Sequence, residues 1–305
     1  MNALAGIVQI AGVVLAPLLT GSIQTLKARL QGRRGPSALQ PYRTLRRLWR
    51  KSAVDPEGTG VIYRLAPPLV AACMLVALAI VPVGGRGGGF GLGNDALVLV
   101  GLLALARFAL AGAAWDTGSG FALMASAREL MISVFGEALL VLALLLAALP
   151  AHSTGLQAMS AAAAGGHIWS APAHWCGALA FALVILVETG RQPIDNPDTH
   201  LELTMIHEGP LLEYGGRDLA LLQWAAAARH WVVLVLGAEL FLPHTGGFAA
   251  SLGLLAAGVA VLCASLALVE TAQAKMRILR VPALVGVGCA IALAGAGMWV
   301  GGIGT

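Results

Sequence analysis

The sequence predicts an all-α, polytopic integral membrane protein of about eight transmembrane helices. Three observations carry this expectation. Of the 305 residues, 58% are apolar and only 11% are charged. The mean hydropathy is +0.82. Uncharged runs long enough to cross ~30 Å of hydrocarbon, about 20 residues each, recur along the whole chain. A soluble domain carries roughly 25% charged residues because its surface must be wetted, so this chain cannot clothe a water-exposed globule of its size. The apolar content also excludes disorder. Collagen needs a G-x-y period that is absent, and four cysteines are too few for a disulfide scaffold.

The spans follow in order. The first runs from Leu4 to Leu26. It has no basic stretch before it and is longer than the apolar part of a secretory signal, so it reads as a retained helix. The second runs from Ala66 to Val83. The third, Ala96 to Trp115, encloses Arg107, and the fourth runs from Phe121 to Pro150. Between Glu137 and Glu188 there is no charge, which is too long for one helix. Pro150, Gly155, Gly165, Gly166 and Pro172 interrupt it and leave a fifth span from Ala173 to Val187. The sixth is Leu219 to Leu242, the seventh Phe248 to Val269, the eighth Leu284 to Val300. Residues 1–305 are expected to form a single membrane domain.

Charge orients the spans. Between Lys27 and Arg64 lie ten Lys/Arg and two acids, Asp55 and Glu57. Lys275, Arg277 and Arg280 follow the seventh span, whereas the loops of the other side carry Arg86 alone. Positive loops stay in the cytoplasm, so both termini are expected outside, with cytoplasmic loops at 27–64 and 188–218. The second of these has the opposite sign: seven acids against Arg191 and Arg217. Two cytoplasmic loops of opposite charge suggest a docking surface, an ion funnel or both.

Several ionisable residues fall where lipid should be. Glu129, Ser133 and Glu137 stand at i, i+4 and i+8, one polar stripe along the fourth helix. Arg107 lies in the third, Arg229 and His230 in the sixth, Glu239 near the outer end of the sixth, and Glu270 near the inner end of the seventh. Charge in a bilayer is costly unless paired or hydrated, so these residues read as ion pairs or as a proton path. Arg107 with Glu137 is one example of such an ion pair; for the group, together with the acidic loop, a proton path is the better reading. His230 and His174 lie at different depths, which argues against a bridging haem. Cys73, Cys176, Cys263 and Cys289 are scattered in apolar runs, unlike the grouped thiolates of clusters or structural zinc. Nothing points to nucleic acid.

The stretch after the fifth span, Arg191-Gln192-Pro193-Ile194-Asp195-Asn196-Pro197, cannot be regular helix because of its two prolines. Thr199-x-x-Glu202 is a capping-box pattern, so a short helix is expected there, ended by Gly209-Pro210.

Three segments together resemble the complex I subunit 1 family: RRGPSALQPYRTLRRLWRK (Arg33–Lys51), ETGRQPIDNPD (Glu188–Asp198) and LLEYGG (Leu211–Gly216). GPSALQPY, ASARELMISVFGEALL and HLELTMIHEGPLLEYGG resemble its branch in the membrane arms of group 4 nickel–iron hydrogenases of the formate hydrogenlyase and hydrogenase-4 type. The chain departs from the family pattern at Thr44, where an acid is common, near Ser52, where a Glu is, and at Ile194, where an aromatic is. Those positions bear on quinone chemistry more than on fold.

The resemblance implies a cofactor-free inner-membrane subunit of a bacterial or archaeal oxidoreductase. Its nickel–iron centre and iron–sulfur clusters would sit on partners: hydrogenase-like large and small subunits and a ferredoxin-like subunit, beside antiporter-like membrane subunits. Arg33, Arg34, Gly35, Pro36, Gln40, Pro41, Arg46 and Arg47 would dock the redox arm. Arg191, Asp195, Glu202, Glu208 and Glu213 would lie beneath it, and Glu129, Glu137 and Glu188 would continue the proton path inward. Two alternatives stay open on sequence: the quinone-chamber subunit of an NADH–quinone oxidoreductase, and an independent proton-coupled transporter.

Overall fold

The computed structural model describes residues 3–87, 94–196, 205–243 and 247–302. Among these residues the helices are α1 (Ala3–Leu30), α2 (Gln40–Trp49), α3 (Val61–Ile80), α4 (Ala96–Asp116), α5 (Gly120–Ala148), α6 (Leu156–Ala163), α7 (Pro172–Glu188), α8 (Gly216–Phe241), α9 (Phe248–Ala272) and α10 (Val281–Val300). Seven spans are long and apolar enough to cross a bilayer: those of α1, α3, α4, α5, α8, α9 and α10. The remaining expected span, the fifth, is α7, which has only 17 residues, about 25 Å at 1.5 Å per residue. The sequence did not predict α2 and α6 as helices.

Alternating direction brings the ends of α1, α4, α7 and α9 to one face with the starts of α3, α5, α8 and α10. That face carries the basic first loop and the acidic loop, and is called the basic face here. α3 begins at Val61, a turn earlier than Ala66, because Asp116 at the end of α4 accepts from the backbone N–H groups of Gly60 (3.0 Å) and Tyr63 (2.9 Å). It thereby satisfies two of the donors a helix start leaves open. Pro67 and Pro68 are thus carried inside α3.

The first loop folds back along α1. Thr25 donates to the Pro36 carbonyl at 2.9 Å, and the Tyr42 hydroxyl donates to that of Val14. Gly21 and Gly35 permit the approach, since a Cβ would come within 2.1 Å of the Ala38 oxygen at the first and 2.3 Å of the Ala28 Cβ at the second. α2 then packs against α8 and α1.

The Leu211–Gly216 motif ties the acidic loop to the start of α3. Tyr214 stacks on Tyr63 with centroids 4.3 Å apart and rings 2° from parallel. Each tyrosine hydroxyl donates 2.8 Å to a carbonyl of the other segment, Tyr214 to Tyr63 and Tyr63 to Glu213. Gly216 has φ +54° and lies where a Cβ would be 2.8 Å from Ala53 N and Lys51 O, so no other residue fits.

On the other side of the bundle α5, α7 and α10 pack together. At Gly136 a Cβ would meet Val187 Cγ1 at 2.6 Å. This glycine lets α5 and α7 close until the next residue of each, Glu137 and Glu188, converge on one point.

Candidate functional site

That point is Arg107. Its guanidinium reaches from the middle of α4 and bridges two carboxylates: Nη1 donates to Glu137 at 2.7 Å, and Nη2 donates to Glu188. The Glu188 side chain is fully buried and that of Glu137 is 25% exposed. α7 is short and stops at Glu188, which leaves its last carboxylate inside the bundle. Glu129 and Ser133, also buried, continue the α5 stripe. Arg229 on α8 is in electrostatic reach of Glu129, Glu137, Glu188 and Arg107. The cluster thus gathers three acids and two arginines from four helices. Glu188 Oε1, Arg229 Nε and Ser126 Oγ are buried with no hydrogen-bond partner among the described residues, a pattern that ordered water commonly completes.

Beneath the cluster, toward the basic face, the chain after α7 tucks back into the bundle. Gly190 turns it with φ +59°, and a Cβ there would strike the His207 ring at 2.7 Å. Arg191 is buried and donates to Glu270 on α9 (3.1 Å) and to His230 on α8 (3.3 Å). Lys27 on α1 stands 3.5 Å from the other oxygen of Glu270. His230 is further held through Nδ1 and the Ala226 carbonyl at 2.8 Å.

Asp195 forms the outermost layer. It accepts from Lys275 at 2.8 Å and from the backbone N–H groups of Ile206 and His207 at 3.3 and 3.2 Å, and it meets the His207 ring at 3.3 Å. Burial pushes its carboxyl up, but His207, Lys275 and the backbone donors outweigh that and hold it well below the usual carboxylate range. A depressed folded-state value means the clasp stabilises fully above about pH 4 and loses that contribution as pH falls from there through the folded value. Asp195→Asn should therefore mimic acid at neutral pH. Faster amide exchange across 191–196 and 273–277 at pH 7, with little change on further acidification, is the expected result. Wild-type protection in the variant would refute the clasp.

The remaining expected residues divide by position. Glu208 and Glu213 are half-buried. Glu208 precedes the 3-10 turn Gly209–Leu211, whose Gly209 packs on Ala125 of α5. Glu202 and the expected capping box lie outside the described residues. Arg33, Arg34, Arg46 and Arg47 are exposed, Gly35 and Pro36 pack on α1, and Gln40 and Pro41 open α2. Sequence reasoning missed Lys27 and Lys275 as parts of the site, having counted them only as loop charge. Each lies where an apolar run ends on the basic face, and an acid at the end of another run, such as Glu270, was the available sign of a partner. Glu239 belongs elsewhere: it accepts from Gly84, Gly85 and Ser160 and fastens the opposite face. Among the described residues no three His, Cys, Asp or Glu side chains are arranged to hold a metal ion.

Comparison with known proteins agrees with this architecture. The family model described as NADH dehydrogenase matches residues 2–300. Hydrogenase-4 component C of Escherichia coli K12 is 37% identical over 232 residues, which cover 76% of this chain and 72% of that protein. Formate hydrogenlyase subunit 4 of the same organism is 31% identical over 280 residues, 87% of each. An NADH-quinone oxidoreductase subunit of Cereibacter sphaeroides is 30% identical over 241 residues, 77% of this chain and 74% of that one. A chain from the structure of the membrane-bound sulfane sulfur reductase, an archaeal respiratory membrane complex, superposes with a TM-score of 0.84 at 22% identity, over 96% of this chain and 97% of that one. The fold, the three motifs and these matches together place the chain in the NADH dehydrogenase family, among its complex I subunit 1-like membrane proteins.

Proposed function

We propose that this chain is the membrane subunit of a complex I-like group 4 nickel–iron hydrogenase of the formate hydrogenlyase type. In this reading it anchors the peripheral redox arm and offers a carboxylate path for protons. The basic face is cytoplasmic, both termini lie outside, and the membrane is a bacterial or archaeal inner membrane. The nickel–iron centre and iron–sulfur clusters belong to the large, small and ferredoxin-like partner subunits, and antiporter-like subunits continue the membrane arm. The names of the two Escherichia coli relatives support the hydrogenase assignment.

The observation that carries the proton role is Arg107 held between Glu137 and Glu188, which come from different helices. One cation shared by two acids can favour either, and the acid it releases is free to take a proton. Glu129 and Arg229 extend the cluster, and Arg191 and Asp195 lead from it to the basic face.

Two measurements test the assignment. The chain, tagged and recovered in mild detergent from its own membranes, should bring stoichiometric nickel and hydrogen-evolving activity. Recovery with NADH–quinone activity and no nickel would overturn the hydrogenase reading. Arg46→Glu with Arg47→Glu reverses charge on the exposed face of α2, where charge-assisted bonds to a partner would form. Recovery of the peripheral subunits should fall about tenfold or more while this chain stays in the membrane. Undiminished recovery at physiological salt would remove α2 from the interface.

A further inference from the structure

A groove of about 740 Å³ runs between α1, α8 and α9, away from the charge cluster. Its α1 wall extends from Val8 to Leu26, about 27 Å along the helix and close to the ~30 Å of bilayer hydrocarbon. Val8, Leu15 and Ser22 line it at seven-residue steps, Ala256 and Cys263 do so on α9, and Trp231 forms the floor from α8. Leu15, Ser22 and Ala256 are exposed, so the groove is open along its flank.

Size limits the occupant. A helix about 10 Å across would fill roughly 2,100 Å³ over that length, nearly three times the space available. An apolar cavity of about 150 Å³ holds the six carbons of benzene, so this groove holds on the order of thirty carbons, or two acyl chains laid end to end.

Charge limits it further. One more seven-residue step along the α1 stripe from Ser22 is Arg29, exposed on the basic face. The same step along α9 from Cys263 is Glu270, already neutralised by Lys27 and Arg191. The headgroup position at this end is therefore net positive. We infer that the α1/α8/α9 groove binds membrane phospholipid, one acyl chain from each leaflet, with the lipid on the basic face anionic and held at its phosphate by Arg29.

The test uses the tagged chain with its partners, stripped of lipid by detergent exchange and then given dioleoylphosphatidylglycerol, dioleoylphosphatidylcholine or a menaquinone. Native mass spectrometry reads retention, and thermal unfolding reads stabilisation. Phosphatidylglycerol should be retained several-fold more than phosphatidylcholine and should raise Tm. Arg29→Gln should erase that preference while both lipids still bind. Ala256→Phe should lower retention of both about tenfold. It should also raise Tm in lipid-free detergent, because the ring fills space that is otherwise empty. If Ala256→Phe misfolds, the smaller Ala256→Leu serves, with the same signs. Unchanged lipid retention in both filling variants would overturn the inference. So would equal retention of the two phospholipids by the wild type, displacement of phosphatidylglycerol by menaquinone, or crosslinking of Ala256→Cys to a partner subunit and not to lipid.

Discussion

Arg107→Leu is expected to deplete the chain from the membrane. The substitution preserves bulk but leaves Glu137 and Glu188 facing each other in a buried site, with only Arg229 nearby. Removing one partner of a buried ion pair costs about 3–5 kcal/mol, a large part of a native stability of roughly 5–15 kcal/mol. The loss comes from the stranded charges more than from the missing bonds. The triple variant Arg107→Leu, Glu137→Gln, Glu188→Gln should therefore recover most of the abundance while remaining inactive in proton coupling. Immunoblots of membranes and thermal unfolding in detergent read both outcomes. Equal depletion in the single and triple variants would show that the arginine is needed for its shape and not for its charge.

The second large effect separates the two acids that Arg107 joins. Glu137 is partly exposed, whereas Glu188 is sealed, with its side chain at 0% exposure. In Glu137→Gln, Glu188 still neutralises Arg107, so abundance should hold. If Glu137 takes up and releases protons, hydrogen evolution by the complex should fall about tenfold or more or become uncoupled from proton movement, while the redox arm still turns over with artificial dyes. In Glu188→Gln, Arg107 and Arg229 lose the one fully sealed carboxylate between them while Glu137 and Glu129 remain, so abundance itself should fall. Normal abundance with normal coupled activity in Glu137→Gln would remove it from any path. Intact abundance in Glu188→Gln would show that water already stabilises the arginines.

The sequence made the spans legible because uncharged runs of that length have few alternatives. It also made Arg107 with Glu137 legible, since an arginine in one apolar run needs an acid in another. The third member of that group was harder to read. Glu188 stands at the end of its run, where residue spacing alone reads it as the first charge of the acidic loop, and only the family resemblance carries it into the path. Its place inside the bundle depends on α7 being short and on Gly136 admitting Val187, neither of which a hydropathy reading can show. Lys27 misled in the same way: as one of ten basic residues it read as topology, although it is buried against Glu270. Helix α2 was hidden because its pattern matches the surface of a neighbouring helix and not the bilayer. The start of α3 was misplaced because its cap, Asp116, is supplied from the far end of the next helix.

The contact at Gly216 has a mechanical consequence. Backbone meets backbone there, with residues 51–53 of the first loop on one side and the first turn of α8 on the other. No side chain intervenes to bend or change rotamer, so the joint is stiff. α8 then runs unbroken for 26 residues, about 39 Å, past Arg229 and His230 to Glu239, which is pinned at the opposite face by Gly84, Gly85 and Ser160. A rod clamped at its far end and pushed at its near end tilts or twists about the clamp. Arg229 lies about halfway along it. The backbone of residues 51–53 and Arg229 are thus joined by one stiff segment, so a load on the first loop would act on the helix that carries Arg229.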